Sequence, residues 1–203
     1  TNDVGFLRNA DWILTGNWIG YNHYQPTRHL HRWDLNFNQW EGWTYGGERR
    51  TTGLNVNGST EFNNFWTANM SWDQELPALN PTELRGGPAL WQPASTNLNL
   101  NLASDTRPRV SENLNINYYR EPQSDSRSWD LVLDLTLRPS SRVLVTLSPA
   151  AGWNRAGLQY IGAAGGPGGT RYYAGRLEQT TAYLTARINY TFTRDLSLQY
   201  YGQ

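Results

Sequence analysis

Hydrophobic and polar residues alternate with a period of two along almost the whole chain. Successive side chains of an extended chain point to opposite sides, so this alternation separates an apolar face from a polar one. The apolar face must meet either the core of a soluble protein or the interior of a membrane. In the segment 32–43, RWDLNFNQWEGW, the two sides are Trp33, Leu35 and Phe37 against Arg32, Asp34, Asn36 and Asn38.

The alternation predicts about ten strands and no helix. In the first strand, Trp12, Leu14 and Trp18 are expected together on the apolar side. The dipeptide Asn57-Gly58 predicts a tight hairpin turn between the third strand and the fourth. The predicted strands cover 9–24, 29–45, 50–58, 60–72, 95–103, 109–119, 127–138, 141–153 and 174–192, and a last one begins near Leu196.

The connections between these strands alternate between short and long. Outer-membrane barrels have short periplasmic turns and longer external loops, so the short turns are expected to face the periplasm and the long loops the outside. The glycine-rich stretch AAGGPGG is expected to be a mobile part of the last long loop. Short turns are predicted at 25–28, 57–59, 104–108, 138–141 and 193–195, and longer loops at 73–90, 120–126 and 154–173.

Three properties favour a membrane barrel over a soluble sandwich. Asn dominates the polar face, although it is a poor strand former at exposed positions. The predicted strands exceed the roughly five or six residues usual in soluble proteins and reach the ~9–11 that cross a bilayer at a tilt. The chain also combines a mean hydropathy of −0.68 with 10 Trp, 12 Tyr and 5 Phe. We therefore predict an all-β fold, an antiparallel up-and-down transmembrane β-barrel, with a soluble all-β sandwich or barrel as the alternative.

The barrel prediction assigns roles to two sets of side chains. Aromatic residues near strand ends are predicted to anchor the strands at the membrane interfaces, and polar residues of the opposite face are predicted to line a lumen. The aromatic set is Trp12, Trp18, Trp33, Trp43, Trp72, Trp129 and Trp153. The lumen-lining set is Arg32, Asp34, Asn36, Asn38, Glu112, Asp130, Asp134 and Arg187.

Composition removes several classes of function. The net charge is zero and the positive residues are scattered, which argues against a nucleic-acid partner. The chain has no cysteine, which excludes disulfides, thiolate metal sites and cysteine nucleophiles. The sequence has no run of ~18 apolar residues, so no transmembrane helix is predicted. The chain begins at Thr1 without an initiating Met or a signal peptide, as a processed or partial chain would.

No group of side chains predicts catalysis, a cofactor or a metal site. His23, His29 and His31 have no obviously convergent carboxylate, so histidines at the rim bonded to water or headgroups are expected. The sequence has no G-x-S-x-G motif, and GGPGG at 165–169 lacks the GK[ST] ending of a phosphate loop. We therefore expect no enzyme activity from this chain.

Asp130 and Asp134 lie on one face of a predicted strand, about 13 Å apart. This separation exceeds that of the paired carboxylates in glycosidases. The two aspartates are instead expected to be charge partners of Arg127, Arg138 or Arg187.

Two loop features are candidates for more specific roles. LRGGP at 84–88 is expected to fold back over or into the barrel mouth, in preference to contacting a ligand. Tyr160, Tyr172 and Tyr173 lie in or beside the last long loop and are candidates for stacking on sugar rings.

Four segments carry a resemblance to a known family. They are DVGFLRNADW at 3–12, HRWDLNFNQWEGWTYGGER at 31–49, ELRGGPAL at 83–90 and RLEQTTAYLTARINYTFTRDLSLQYY at 176–201. They resemble the C-terminal outer-membrane barrel, a domain of unknown function, of bacterial proteins that begin with a family-nine-like carbohydrate-binding domain. The resemblance implies that residues 1–203 are a single barrel domain or the C-terminal portion of one. It also implies that the N-terminal domain and further strands lie outside this chain.

These observations lead to one functional hypothesis and its rivals. We expect a bacterial outer-membrane barrel that serves as a membrane anchor and porin-like pore, linked to carbohydrate binding or uptake. Its expected partners are membrane lipid, lipopolysaccharide and glycans, with no nucleic acid and no cofactor. A soluble all-β carbohydrate-binding module or a glycoside-processing enzyme is the main rival, and membership of a larger envelope assembly is a third alternative.

Overall fold

The computed structural model describes residues 11–203, and all regular elements in this range are β-strands. The all-β prediction is therefore confirmed. No helix in this range is long and apolar enough to cross a membrane. The strands are β1 Ile13–His23, β2 Leu30–Trp43, β3 Arg49–Phe62, β4 Thr67–Glu75, β5 Ala78–Asn80, β6 Leu90–Gln92, β7 Ser95–Ala103, β8 Val110–Glu121, β9 Ser126–Ser140, β10 Val143–Gly166, β11 Gly169–Thr191 and β12 Ser197–Gly202.

Ten of these strands form one antiparallel sheet in the order β1-β2-β3-β4-β7-β8-β9-β10-β11-β12. Each strand therefore pairs with its neighbour along the chain, as predicted for an up-and-down meander. β5 and β6 form a separate two-stranded sheet within the connection between β4 and β7. Within residues 11–203, β1 pairs only with β2 and β12 only with β11, so the sheet is not closed into a barrel there. The sequence predicts that these strands are part of a larger barrel, and that prediction stays open.

The connections fall into two groups at opposite ends of the sheet. The end with the turns 24–29, 63–66, 104–109, 141–142 and 192–196 is called the upper end here. The lower end has the turns 44–48, 122–125 and 167–168 and the 19-residue connection 76–94, which we call the insert. The long connection predicted near 73–90 is confirmed, whereas the long loop predicted at 120–126 is wrong, because β8 and β9 extend into this range and leave only the turn 122–125.

The predicted hairpin at Asn57-Gly58 is wrong, because both residues lie in the middle of β3. Asn57 is paired with Asn36 on β2 and with Ser71 on β4. The strand continues to Phe62, and the turn falls at 63–66. Pairing with a strand on each side outweighs the local turn preference of an Asn-Gly dipeptide.

The predicted long loop at 154–173 is also wrong, because β10 and β11 pair along most of this range. Their pairing ends at Gly166 and Gly169, with irregularities in register between Ala156 and Gln159 and between Tyr160 and Gly162. The chain reverses at Pro167-Gly168, and Gly169 has a φ of 100°, which a residue with a Cβ adopts only with strain. The glycine-rich stretch is therefore the tip of a long hairpin.

Very little apolar surface is buried in this sheet. Among residues 11–203 the buried apolar side chains are Ala78, Leu84 and Ala150, and no large side chain is fully buried. A β-sandwich would cover the apolar face of one sheet with a second layer. No such layer exists within the described residues, so the sheet has no partner sheet on either face.

Candidate functional site

The pairing register divides the sheet into two faces of different chemistry, because directly paired residues share a face. The apolar face contains Leu35, Phe37, Val56, Met70, Trp72, Leu98, Leu100, Ile116, Tyr118, Leu131, Leu133, Leu135, Leu147, Trp153, Leu184 and Ile188. The amide face contains Asp34, Asn36, Asn38, Asn55, Asn57, Asn69, Ser71, Asp73, Asn97, Asn99, Asn101, Asn113, Asn115, Asn117, Asp130 and Arg187.

Hydrogen bonds join the side chains of the amide face across neighbouring strands. Asn38 Nδ2 donates to Asn55 Oδ1 at 2.8 Å, and Asn55 Nδ2 donates to Asp73 Oδ1 at 2.7 Å. Ser71 Oγ donates to the same carboxylate at 3.1 Å and accepts from Asn99 Nδ2 at 3.1 Å. This network therefore runs from β2 through β3 and β4 to β7.

A second part of the network continues to β8. Asn69 Nδ2 donates to Asn101 Oδ1 at 3.0 Å, and Asn101 Nδ2 donates to Asn115 Oδ1 at 2.8 Å. Asn117 Nδ2 donates to Asn97 Oδ1 at 3.0 Å. Since an amide both donates and accepts, rows of Asn satisfy one another laterally without any charge. The face is thus polar and mostly neutral.

A concave region with a volume of about 350 Å³ lies along this network. Most of its lining residues belong to the amide face and come from six consecutive strands of the sheet, β2 to β9. They include Asp34, Ser59, Asn69, Asn99, Asn117 and Asp130. Their carbonyl, amide and carboxylate groups offer both donors and acceptors to a polar solute.

The structure places seven of the eight predicted lumen-lining residues on the amide face. Arg32 Nε lies 2.8 Å from Glu61 Oε2, and Asn36 Nδ2 donates to Asp34 Oδ2 at 2.9 Å. Glu112 is the exception, because it pairs with Leu135 and lies on the apolar face near the upper end. The physical reason is the period of two: Glu112 has the same parity along β8 as Leu114, Ile116 and Tyr118. The other placements are Asn38 on β2, Asp130 and Asp134 on β9 and Arg187 on β11.

The expected ion pairs of Asp130 and Asp134 with arginines are not present among residues 11–203. Asp134 Oδ1 instead accepts a hydrogen bond from Ser148 Oγ at 2.5 Å. Arg127 lies on the opposite face of β9, and the Arg187 guanidinium carbon lies 5.2 Å from the ring centroid of Tyr201. The alternation along β9 thus places Arg127 on the face opposite to both aspartates.

Five of the seven predicted interfacial aromatics share the apolar face: Trp33, Trp43, Trp72, Trp129 and Trp153. Trp12 and Trp18 do not, because Trp18 pairs with Asn38 on the amide face. Its Nε1 donates to Asn36 Oδ1 at 3.1 Å, and its ring covers Gly20. The Trp12 ring lies over Gly42, on the same side. Glycines beside these rings make room for them on the amide face.

Two adjacent rows of paired residues mark a sharp boundary on the apolar face. We call the upper one the aromatic row: Ile19, Phe37, Val56, Trp72, Leu98, Tyr118, Trp129, Trp153 and Thr180. The row below it, which we call the polar row, is Asn17, Gln39, Leu54, Gln74, Thr96, Arg120, Arg127, Arg155 and Glu178. Apolar side chains dominate above this boundary and polar ones below it.

The insert folds back over the lower end of the amide face. Its strand β5 contacts β3, and Leu84 is buried. Several strands away from β3, a Cβ added at Gly87 would lie 2.5 Å from Cε1 of Tyr172 on β11. The insert therefore extends from β3 to the β10–β11 hairpin. The position of LRGGP relative to a barrel mouth stays a prediction.

The insert also engages two of the three tyrosines that were candidates for sugar stacking. Tyr172 packs at Gly87, and the Arg85 guanidinium carbon lies 5.7 Å from the ring centroid of Tyr160. Tyr173 is half exposed. The contacts with the insert give Tyr160 and Tyr172 a structural role that the sequence did not predict.

The histidines make separate contacts. His23 stacks on Trp33 with ring centroids 5.8 Å apart, and His31 Nδ1 lies 3.0 Å from Glu61 Oε1. Residues 11–203 contain no group of three His, Asp or Glu side chains arranged to hold a metal ion.

The sequence did not predict a contact between two of the turns at the upper end of the sheet. Arg107 Nη2 lies 2.7 Å from Asp105 Oδ2, and its guanidinium carbon lies 3.7 Å from the ring centroid of Phe65 in the turn 63–66. Hydrogen bonds from Arg107 lower the pKa of the Asp105 carboxyl. The pairing of these turns depends on the sheet order, which no local sequence pattern encodes.

Comparison with curated proteins and with solved structures gave no match. A family model does match, and it covers residues 1–201, nearly the whole chain. The chain therefore belongs to the family described as Domain of unknown function (DUF5916).

Proposed function

We propose that this domain is the wall of a transmembrane β-barrel that anchors its protein in the bacterial outer membrane and surrounds a polar passage. The observation that carries the proposal is the open apolar face, which spans the sheet and has no covering layer within residues 11–203. Lipid is a natural cover for such a face, because a barrel wall is apolar outside and polar inside. The amide face would then line the lumen.

The height of the apolar face fits this proposal. On β9, the apolar residues from Trp129 to Leu137 occupy alternate positions without interruption. They cover about 27 Å along the strand, or about 21 Å at a tilt of about 40°, close to the apolar band of roughly 25 Å on outer-membrane barrels. The aromatic row at the lower limit of this band suits a membrane interface.

A soluble carbohydrate-binding module or enzyme is a weaker explanation. A soluble domain of this size would bury a large part of its apolar surface. Here Leu35, Phe37, Met70, Leu131 and Leu184 are all exposed by two fifths or more. A soluble form would need another protein layer over most of the sheet.

The amide face also supports the proposed link to glycans. Amide groups donate and accept hydrogen bonds without net charge, as sugar hydroxyls do. A passage lined in this way would suit neutral, hydroxylated solutes. Conductance of the protein in planar bilayers, and its block by neutral oligosaccharides, tests this part of the proposal. Closed channels under all conditions would reduce the function to anchoring.

Cysteine labelling tests the membrane proposal directly, because the chain has no cysteine of its own. The matched variants are Leu100→Cys on the apolar face and Asn99→Cys on the amide face of β7. In lipid vesicles, a water-soluble maleimide is expected to label the Asn99 variant and not the Leu100 variant. Unfolding in urea should make both reactive. Equal labelling of both variants in vesicles would contradict a lipid-facing apolar side.

A further inference from the structure

Three arginines lie side by side in the polar row, immediately below the aromatic row. Arg120 on β8 pairs with Arg127 on β9, which pairs with Arg155 on β10. Like charges placed directly opposite each other in a sheet destabilise it. Three adjacent guanidinium groups at this position therefore require compensating negative charge.

The protein supplies that charge for Arg155 only. Arg155 Nη2 lies 2.6 Å from Asp125 Oδ2, and its Nε lies 3.5 Å from Glu178 Oε1. Within residues 11–203, Arg120 and Arg127 have no carboxylate within 4.0 Å. Both of these side chains are exposed.

The carboxylate nearest to Arg120 in sequence is directed elsewhere. Glu121 follows Arg120 and therefore lies on the amide face, where it is buried and accepts a hydrogen bond from the Tyr119 hydroxyl at 3.2 Å. Asp125 is occupied by Arg155. Within the described part of the chain, Arg120 and Arg127 are therefore left available for an anionic group from outside it.

The surroundings of the two arginines resemble a membrane interface. Above them on the same face lie Tyr118 and Trp129, whose ring centroids are 4.4 Å apart. The Arg127 guanidinium carbon lies 5.1 Å from the ring centroid of Trp153, which holds the charged group against the aromatic row. A ligand there would meet apolar surface on one side and two cations on the other.

We propose that Arg120 and Arg127 bind a phosphate group of lipopolysaccharide in the outer leaflet. Guanidinium groups match phosphate geometry with paired hydrogen bonds, and the acyl chains would continue along the apolar face above. The polar row lies toward the lower end, where the insert and the long β10–β11 hairpin are found. Long connections are expected on the external side of an outer-membrane barrel, and this inference rests on the proposed function.

Binding of lipid A to the purified full chain in mixed micelles tests the site. Bisphosphorylated lipid A is expected to bind the Arg120→Ala/Arg127→Ala variant at least about tenfold more weakly than the unaltered chain, since each charged contact is worth a factor of about ten or more. Dephosphorylated lipid A should bind both forms equally. The matched control is Arg28→Ala/Arg194→Ala, which removes two exposed arginines at the upper end and should leave affinity unchanged.

Several results would overturn the assignment. One is equal affinity of the double alanine variant and the unaltered chain for bisphosphorylated lipid A. Another is full competition by inorganic phosphate at the same phosphate concentration, which would exclude a lipid as the specific ligand. If the alanine variant does not fold, Arg120→Lys/Arg127→Lys replaces it, and an affinity equal to that of the arginines would contradict paired recognition.

A further measurement separates the two proposals. The unaltered chain is inserted into phosphatidylcholine vesicles, and insertion is monitored by the change in its gel mobility on heating. Failure to insert overturns the membrane proposal and this site with it. Insertion with lipid A binding that ignores the two arginines overturns the site alone.

Discussion

Trp40 and Gly53 face each other on the amide face, and the missing side chain of the glycine leaves room for the large ring. The pairing of β2 with β3 brings Gly53 directly beside Trp40. A Cβ at Gly53 would lie closer to Cζ2 of this ring than two carbon atoms can approach. Trp40 thus uses space that the sequence of β2 alone does not reveal.

We expect Gly53→Ala to lower the free energy of unfolding by about 1–3 kcal/mol, because the added methyl group displaces the Trp40 ring. Gly16→Ala is the matched control, since the nearest atom to its Cβ is a backbone oxygen at 3.8 Å. That change should be neutral or stabilise the fold by up to about 1 kcal/mol. Urea titration in lipid vesicles measures both, and a Gly53 variant as stable as the Gly16 variant would refute the packing argument.

Asp105 and Arg107 give a prediction for pH dependence at the residue scale. The pKa of the Asp105 carboxyl is lowered, so its contribution to stability is present above the ordinary pKa and disappears as the pH falls through the lowered one. Arg107→Ala should return this pKa toward its usual range. Titration of the Asp105 side-chain carbon by nuclear magnetic resonance measures the change, and an unaltered pKa would contradict the assigned cause.

The insert shows how an element is positioned by partners distant in sequence. It leaves the sheet after β4 and returns at β7, yet it contacts β3 and the β10–β11 hairpin. Leu84 and Ala78 are among the few buried apolar side chains. Burial of these small groups holds the insert weakly, so contacts at its tip should decide whether it stays in place.

We expect Gly87→Val to release the tip of the insert, because the larger side chain collides with Tyr172 and Leu84. Trypsin should then cleave after Arg85 several-fold faster than in the unaltered chain. Gly162→Val is the control, since its Cβ meets no atom within 4 Å. Unchanged cleavage after Arg85 in the Gly87 variant would indicate that the tip is not held by this contact.

In the molecule as a whole, the two faces of the sheet differ in chemistry, and consecutive residues of one strand lie in different surroundings. Leu133 and Val132 are consecutive on β9 and lie on opposite faces. Leu133 lies within the apolar band, whereas Val132 lines the concave region of the amide face. These two positions therefore allow the environments of the two faces to be compared with a minimal change in sequence.

We expect Leu133→Arg to destabilise the membrane-inserted protein by about 2–4 kcal/mol, as charged groups do on the lipid face of a barrel near the bilayer midplane. Val132→Arg should have a much smaller effect, because its charge reaches the polar face. The free energy of unfolding in vesicles measures both changes. Equal effects, or a larger effect at Val132, would argue against the proposed orientation of the faces.

The function of this domain has to be inferred from the physical features of its sheet. The family is described as a domain of unknown function and therefore does not indicate an activity. The open apolar face, the neutral amide face and the uncompensated arginine pair each support a separate experiment. Their outcomes bear on anchoring, permeation and lipid recognition in turn.

The all-β class, the number of strands in the main sheet and the face of most residues in β2, β4, β7, β8 and β9 could be predicted from the sequence. These properties follow from alternation within one strand, which any extended chain imposes on its side chains. It failed at Asn57-Gly58 and at 163–169, where local turn preference conflicts with pairing to neighbouring strands.

Only the tertiary structure decided how the strands are aligned with one another. Register depends on contacts between residues of different strands, which the pattern within one strand does not specify. A shift of one residue exchanges the faces. The register placed Trp18 beside Asn38 on the amide face and aligned Arg120, Arg127 and Arg155 in one row. The amide network, the boundary on the apolar face and the position of the insert all arise from that alignment.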